Sequence, residues 1–298
     1  MSSPMAGGIY LIDKPKGFTS FDCDKIVRRA TGIKKVGHSG TLDPFATGLL
    51  PVFAGDALKL MRYTDDYDKT YRCTAVFGFT SDTGDSDGVI TPVRLPSEGD
   101  IPAIRAALAE IATRTTQIPP KYSAKKINGV KAYDLARQGV DFELKPAEIK
   151  IYSLDIESAL AVDNGVEVTF VCHCSKGTYI RTICTDAGDL CGFGAYAKEL
   201  RRIKAGPFDV ADSVPASEVS ADTVPTDPMR AIAHIPCVEV SEKNYEDIKC
   251  GRRFRAEKIE GFEAAPGQLV RAMYDGALIA IIYADETGII RIDRGFAS

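Results

Sequence analysis

Residues 166–174 show the clearest alternation of hydrophobic and polar positions in the chain. Every second side chain is apolar or a thiol, which assigns one face to Val166, Val168, Phe170, Cys172 and Cys174. A period of two predicts a strand with one buried face. After a turn at 175–178, apolar residues recur at helical spacing, which predicts a helix whose buried stripe is Ile180, Ile183, Cys184, Ala187 and Cys191.

The N-terminal part of the chain predicts a strand, a loop and a helix. Residues 8–14 are mostly apolar, and the segment Lys14-Pro15-Lys16-Gly17 ends this short strand. Thr19 or Ser20 can cap the helix and Gly32 can end it. Further along, residues 70–78 are rich in β-formers, and an apolar stripe over 101–111 predicts a helix with Pro102 in its first turn.

A change in composition near residues 207–228 divides the chain. This segment is rich in Pro, Ser and Asp and has no helical period, which is typical of a junction. Beyond it, residues 268–292 predict three strands joined by turns, one of them at Asp275-Gly276. The pattern alone therefore predicts a mixed α and β unit followed by a small β-barrel or meander.

Composition is that of an ordinary globular protein. The chain has 298 residues, 45% of them hydrophobic and 26% charged, so it can bury a sizeable core. The longest apolar runs, such as 277–284, are too short to cross a bilayer. Residues 1–8 carry no leader pattern, and the eight cysteines are dispersed. We therefore expect a cytoplasmic protein with reduced thiols and no membrane partner.

The overall charge and its distribution point in different directions. A net charge of −4 argues against a nucleic-acid partner. However, residues 1–64 hold nine basic against five acidic residues, and residues 171–206 hold six against three, whereas residues 207–247 hold two against nine. Basic clusters lie at 121–133, 200–204 and 251–255, and the aromatic residues Tyr122, Tyr133 and Phe254 within them are typical of surfaces that bind RNA by stacking and by charge.

The segment GHSGTLDPFATGLLP, residues 37–51, is the strongest local motif. Its glycines permit close backbone approach, and Pro44 restricts Asp43, so a rigid loop that presents one carboxylate is predicted. On pattern alone, Asp43 is either catalytic or the acceptor of an Asx turn. His38 by itself is better explained as a hydrogen-bonded structural histidine.

Two metal-site hypotheses fail on spacing. If residues 83–94 are aligned with a calcium-binding EF-hand loop, Arg94 falls where a bidentate glutamate belongs, so residues 82–88 are interpreted as a solvated acidic loop. Strand alternation directs His173 away from Cys172 and Cys174, which argues against zinc. No metal is expected.

Five blocks together resemble the TruB family of tRNA pseudouridine synthases, which isomerise the uridine at position 55 in the T-arm of tRNA. The blocks are LIDKPKGFTS, GHSGTLDPFATGLLPV, DKTYRCTAVFGFTSDTGDSDG, QIPPKYSAKKINGVKAYDLARQG, and CSKGTYIRTICTDAG with LRRIKAGPF. The resemblance implies an α+β pseudouridine synthase fold, with a mainly antiparallel central sheet flanked by helices. It further implies a catalytic domain over 8–225 and a small PUA-like RNA-binding β-barrel over 230–298.

The resemblance also implies roles for eight residues. Asp43 matches the catalytic aspartate, Tyr71 the tyrosine that stacks on the target base and takes part in proton transfer, and Arg181 the arginine paired with the aspartate. The remaining matches are to residues that contact the flipped nucleotide or hold the T-loop open (His38, Tyr179 and Leu200) and to a motif that supports the active-site loop (Lys14 and Pro15). We group these five with substrate binding.

The implied reaction is base flipping followed by nucleophilic attack of Asp43, either at ribose C1′ or at uracil C6. It requires no cofactor, and the implied partner is the tRNA T-arm, bound by a monomer. Two alternatives remain. One is a non-catalytic RNA-binding or tRNA-folding module; the other is a glycoside hydrolase that uses Asp43 with a second carboxylate from residues 82–87.

Overall fold

The computed structural model describes residues 7–123, 125–127 and 129–296. Outside the described residues lie 1–6, 124, 128 and 297–298. Residues 1–6 are part of the segment in which no leader pattern was found, and 124 and 128 belong to the predicted basic cluster.

Strands and helices alternate irregularly along the described chain. The strands are β1 (Gly7–Lys14), β2 (Val36–His38), β3 (Thr47–Gly55), β4 (Lys69–Phe77), β5 (Phe79–Ser81), β6 (Ile90–Pro92), β7 (Thr116–Gln117), β8 (Lys126–Ile127), β9 (Val130–Lys131), β10 (Ala147–Glu148), β11 (Ile151–Val162), β12 (Gly165–Cys174), β13 (Ala195–Ala205), β14 (Phe208–Asp209), β15 (Val214–Pro215), β16 (Cys237–Glu239), β17 (Val270–Tyr274), β18 (Ala277–Ala284) and β19 (Ile290–Gly295). The α-helices are α1 (Ser20–Thr31), α2 (Ile101–Ile111), α3 (Ala132–Arg137), α4 (Ile180–Cys191) and α5 (Glu242–Lys249). A 3-10 segment spans Asp56–Thr64.

One large mixed sheet organises the fold. Its order is β11-β12-β4-β13-β3-β1-β15, with β2 beside β3 and β14 beside β13. Only the β13/β3 and β1/β15 pairs are parallel; the other pairings in this sheet are antiparallel. Helices α2 and α4 pack with β4, β12 and β13 around one apolar core. The predicted α+β class and the mainly antiparallel sheet are therefore confirmed.

Local sequence explains several of these elements directly. Thr19 caps α1 by accepting the Asp22 N–H, and Gly32 ends it in the left-handed conformation at φ 72°, as predicted. On β12, the five side chains predicted to face inward are fully buried. Helix α4 begins at Ile180, where its apolar stripe begins.

Strand β13 corrects the interpretation of residues 200–204 as a basic RNA-binding cluster. This strand lies in the middle of the large sheet, between β4 and β3. Leu200 is 7% exposed and Arg202 only 1%. Gly48 makes the parallel β3/β13 contact possible, because a Cβ there would lie 2.3 Å from the Arg202 carbonyl oxygen. Part of the positive charge of residues 200–204 is therefore buried in the protein interior.

The C-terminal unit is an open four-stranded sheet in the order β16-β17-β18-β19, packed with α5. The predicted strand–turn–strand pattern is confirmed, with Asp275-Gly276 at the first turn. Within the described residues no pairing joins β16 to β19, so the predicted closed barrel is not confirmed. Backbone bonds from the 254–256 segment instead cover the start of β19. Phe254 is 7% exposed within this core, so its predicted stacking role is wrong.

The predicted junction runs along the edge of the large sheet. Strand β15 pairs with β1, and Thr226 exchanges two backbone hydrogen bonds with Ile9. One apolar cluster contains residues from both sides of this segment, including Leu60, Ala231 and Ile281. The division into 8–225 and 230–298 stays a prediction. Among the described helices, none has the length and apolar character needed to cross a membrane.

Candidate active site

A cleft of about 280 Å³ lies where the 39–46 loop, strands β4 and β13, and the start of α4 meet. Five of the eight residues singled out in the sequence line it: Asp43, Tyr71, Tyr179, Arg181 and Leu200. They come from four separate segments of the chain. The fold therefore brings together residues that the sequence places up to 157 positions apart.

Arg181 is the centre of the charged network in this cleft. It is 3% exposed, and its Nη2 lies 2.9 Å from Asp43 Oδ2. The same guanidinium donates to the carbonyls of Thr83, at 2.7 Å, and Tyr122, at 2.8 Å. Its planar fork is therefore fixed on several sides. The Asp43 side chain is 40% exposed, so its carboxylate is both oriented by the arginine and accessible from the cleft.

Asp85 is a second carboxylate partner of Arg181, which the sequence analysis missed. Its Oδ2 lies 3.4 Å from Arg181 Nη1, and it is 5% exposed. Burial raises the pKa of Asp85, against the opposing effects of a hydrogen bond from Thr83 and of the Arg181 charge. The interpretation of residues 82–88 as a solvated loop is therefore wrong at Asp85. The sequence signals for this loop were its turn chemistry and its place in one of the five resemblance blocks.

Tyr71 forms an aromatic wall of the cleft. It lies on β4, opposite Cys172 of β12 and Arg202 of β13, and packs against the main apolar core. Burial raises its pKa above the ordinary 10, although the Arg202 charge opposes the rise. The side chain is therefore a neutral phenol at neutral pH, which suits stacking on a planar base.

The loop that carries Asp43 is anchored from below by the β1–α1 connection. Ser20 Oγ accepts the Leu42 N–H at 2.9 Å and donates to the Leu42 carbonyl at 3.1 Å. Lys14 is fully buried, and its Nζ donates to the carbonyls of Phe18, Pro15 and Pro44 at 2.7, 3.1 and 3.3 Å. The bonds to Leu42 and Pro44 hold the residues on either side of Asp43. Lys14 and Pro15 do not line the cleft. They support the loop that carries Asp43.

We expect the wild-type protein to become more stable as the pH rises from about 7 to about 10, and Lys14→Met to lose this gain. Burial lowers the pKa of Lys14 from 10.5 to about 8. The folded chain releases this proton near pH 8, whereas the unfolded chain keeps it until about pH 10.5, so raising the pH across this window favours the folded state. The shift corresponds to up to about 3 kcal/mol. Chemical denaturation at about pH 7 and about pH 10 measures it.

Lys16→Met, at an exposed lysine two residues away, is the matched control. It is expected to keep the wild-type pH dependence. Identical pH dependence in wild type and Lys14→Met would contradict the assignment of this gain to Lys14.

His38 braces the loop from one side. Its Nδ1 lies 2.9 Å from Oδ2 of the buried Asp24, and its Nε2 lies 3.3 Å from Thr41 Oγ1. Thr41 lines the cleft, whereas His38 is not among its lining residues. These contacts agree with the structural role that its sequence context favoured. A contact between His38 and a bound nucleotide stays a prediction.

Tyr179 is held at the start of α4 by a buried glutamine. Gln117 Oε1 accepts the Tyr179 N–H at 2.8 Å, and Gln117 Nε2 donates to the Tyr179 carbonyl at 3.1 Å. The Tyr179 side chain makes no capping hydrogen bond to α4, and Gln117 instead anchors the backbone of this N-cap residue. Burial raises the pKa of Tyr179 as well. Gln117 had no recognisable signal in the sequence, because its partner is 62 residues away.

Solved structures share this architecture. The chain superposes on a protein in "Crystal Structure of a Cbf5-Nop10-Gar1 Complex" with a TM-score of 0.70 and 22% identity, covering 97% of this chain and 84% of that one. A chain in "Structure of H/ACA RNP bound to a substrate RNA containing 2'-deoxyuridine" gives a TM-score of 0.69 at 20% identity, covering 98% and 85%. At these identities the likeness shows the fold alone.

Sequence comparison narrows the class to one family. The model of the TruB family pseudouridylate synthase N-terminal domain matches residues 28–180, and that of the tRNA pseudouridylate synthase B C-terminal domain matches residues 181–231. The chain belongs to the TruB family of pseudouridylate synthases. It is 33% identical to the tRNA pseudouridine synthase B of Geobacter sulfurreducens, over 97% of this chain and 99% of that protein. Identity to the protein of the same name from Geobacillus thermodenitrificans is 38%, over 83% and 85%.

Proposed function

We propose that this protein isomerises uridine to pseudouridine at position 55 in the T-arm of tRNA, with Asp43 as the nucleophile. The observation that carries the proposal is the Asp43–Arg181 pair, whose atoms lie 2.9 Å apart in a cleft that Tyr71 also lines. Tyr71, Asp43 and Arg181 were singled out from separate sequence blocks. Their convergence on one cleft supports a common role.

The reaction breaks the bond between N1 of uracil and ribose C1′, rotates the base and joins C5 to C1′. C5 loses a proton and N1 gains one, so there is no net redox change and no cofactor is required. A carboxylate that is accessible and held by a buried guanidinium can act as the nucleophile at C1′ or at C6. Arg181 is a positioning residue for this carboxylate.

Removal of the base from its stack requires a replacement environment. Tyr71 supplies an aromatic face, and the largely buried Leu200 supplies an apolar floor. Tyr179, which Gln117 holds at the start of α4, lies on the wall next to Arg181. These surfaces hold uracil in the cleft between bond cleavage and bond formation. His38 steadies the loop, and Lys14 and Pro15 support it from below.

The proposed substrate is tRNA, bound by a monomer, with the T-arm at the cleft of the 8–225 unit and further RNA contacts from the 230–298 unit. Of the two alternatives, the glycoside hydrolase is the less favoured, because Asp85, the buried carboxylate of the 82–87 loop, is engaged by Arg181 and does not line the cleft. A non-catalytic RNA-binding module does not account for an accessible carboxylate held by a buried arginine.

We expect purified protein to introduce one pseudouridine into an unmodified tRNA transcript, at position 55. Carbodiimide treatment followed by primer extension maps the product, and a transcript with cytidine at this position is the matched control. The mass of the RNA should stay unchanged, because the uracil is rejoined. Release of free uracil would support the hydrolase, a stop outside the T-loop would contradict the site, and binding without conversion would favour the RNA-binding module.

A further inference from the structure

Arg202 is the largest fully buried side chain among the described residues, and it lines the same cleft. It lies on the central strand β13, where its Nε donates to the Leu49 carbonyl of β3 at 2.8 Å. Its Nη1 lies against the loop that carries Asp43, since a Cβ at Gly40 would be 3.1 Å from this nitrogen. One guanidinium therefore touches both β3 and the catalytic loop.

The charge of Arg202 has no counter-ion in the described part of the chain. No carboxylate lies within ion-pair distance there, and Nη2 has no hydrogen-bond partner although it is buried. Its positive charge also opposes protonation of Lys14 and Lys69 nearby. A buried charge without a partner destabilises a fold, and apolar side chains of similar volume are often tolerated better. The fold alone therefore does not explain an arginine here.

Tyr71 is the neighbour that does explain it. The two residues lie directly opposite each other in the β4/β13 register. The Arg202 guanidinium interacts with the Tyr71 hydroxyl and lowers the pKa of that phenol against the effect of burial. Tyr71 also packs against the apolar side chains of the main core, which hold its ring.

We propose that Arg202 is a positioning residue of the reaction, which sets the Tyr71 phenol and the Asp43 loop in their reactive arrangement. This inference rests on the proposed function. It predicts that Arg202 acts through Tyr71 and the loop rather than by attracting RNA, because its charge is enclosed in the sheet. Catalytic rate should therefore depend on it strongly, and tRNA affinity and fold stability only weakly.

The test compares Arg202→Met, Arg202→Lys and Tyr71→Phe, alone and in combination. Single-turnover rates and dissociation constants are measured on a tRNA transcript, together with the midpoint of thermal unfolding. Lys198→Met is the matched control, because Lys198 lies on the same strand and pairs with the surface residue Glu167. It should retain the wild-type rate.

We expect Arg202→Met to lower the rate by about 100-fold or more, a loss typical of misplaced catalytic groups, while the dissociation constant changes less than about threefold. Arg202→Lys should recover about tenfold, because lysine keeps the charge but lacks the planar fork. Adding Tyr71→Phe to Arg202→Met should cost little more than the slower single variant, since coupled residues are not additive.

Four results overturn the inference. These are a wild-type rate in Arg202→Met, an equal loss in affinity and rate, strict additivity with Tyr71→Phe, and, if Arg202→Met does not fold, a wild-type rate in Arg202→Lys. If the wild type and Lys198→Met both fail to form pseudouridine, the proposed function fails, and this inference with it. An active wild type with an unaffected Arg202→Met removes only the inference.

Discussion

Asp43→Asn is expected to abolish pseudouridine formation while leaving the protein folded and able to bind tRNA. Asparagine keeps the shape of the side chain and an oxygen for Arg181, but a neutral amide cannot act as the nucleophile. The rate should fall by at least about 10⁴-fold, as for other lost nucleophiles. Because the side chain is 40% exposed, stability should change by less than about 1 kcal/mol. Single-turnover conversion of a tRNA transcript measures the rate.

Asp163→Asn, in the exposed turn between β11 and β12, is the matched control and should retain full activity. Conversion by Asp43→Asn at the wild-type rate would show that Asp43 only forms the turn of its loop. Loss of tRNA binding together with conversion would instead assign Asp43 a role in recognition.

Arg181→Leu is expected to affect both activity and stability. The substitution leaves Asp85 as a buried carboxylate without its cation and removes the donors to the Thr83 and Tyr122 carbonyls. Breaking a buried ion pair in this way costs about 3–5 kcal/mol. Activity should fall as well, because Asp43 loses the group that orients it. Urea denaturation and single-turnover kinetics measure the two effects.

Asp85 provides the first control for this prediction. Removing the stranded charge in Arg181→Leu/Asp85→Asn should restore part of the stability but none of the activity. Arg114→Leu, at an ion pair with Asp186 whose arginine is 41% exposed, should cost about 1 kcal/mol or less. An equal loss of stability in Arg114→Leu and Arg181→Leu would contradict a buried network around Arg181.

The pH dependence of the Arg181→Leu variant follows from Asp85. Burial already raises the pKa of this carboxyl, so the folded state holds its proton more tightly than the unfolded state does. Stability therefore rises as the pH falls through the folded-state pKa of Asp85. Loss of Arg181 enlarges this effect, because the charge that opposed the shift is gone.

Local pattern was sufficient to predict many elements. The capped helix α1, the half-buried strand β12, the start of α4 and the strand–turn–strand of the C-terminal unit each depend on residues a few positions apart. Capping, turn chemistry and the periods of 2 and 3.6 residues act at that range. The loop around Asp43 was predicted for the same reason.

Charge was the feature that local pattern misjudged. Residues 200–204 were interpreted as a basic RNA-binding cluster and the loop at 82–88 as solvated, yet Arg202 and Asp85 are buried. Phe254 was interpreted as exposed and lies in a core. In each case the side chain's environment is supplied by strands or loops remote in sequence. Composition and spacing along the chain do not reveal which side chains a distant strand or loop will cover.

By itself, the amino-acid sequence determined a mixed α and β unit and its local elements. Through its resemblance to a known family, it also determined the α+β class and which residues to look for. The tertiary structure alone decided that Asp43, from the 39–46 loop, meets Arg181, from α4, in one cleft beside Tyr71. It also decided that Asp85, Gln117 and Arg202 support that cleft. The physical reason is range: secondary structure follows from neighbours along the chain, whereas burial, ion pairing and cleft geometry arise only when the sheet brings distant segments together.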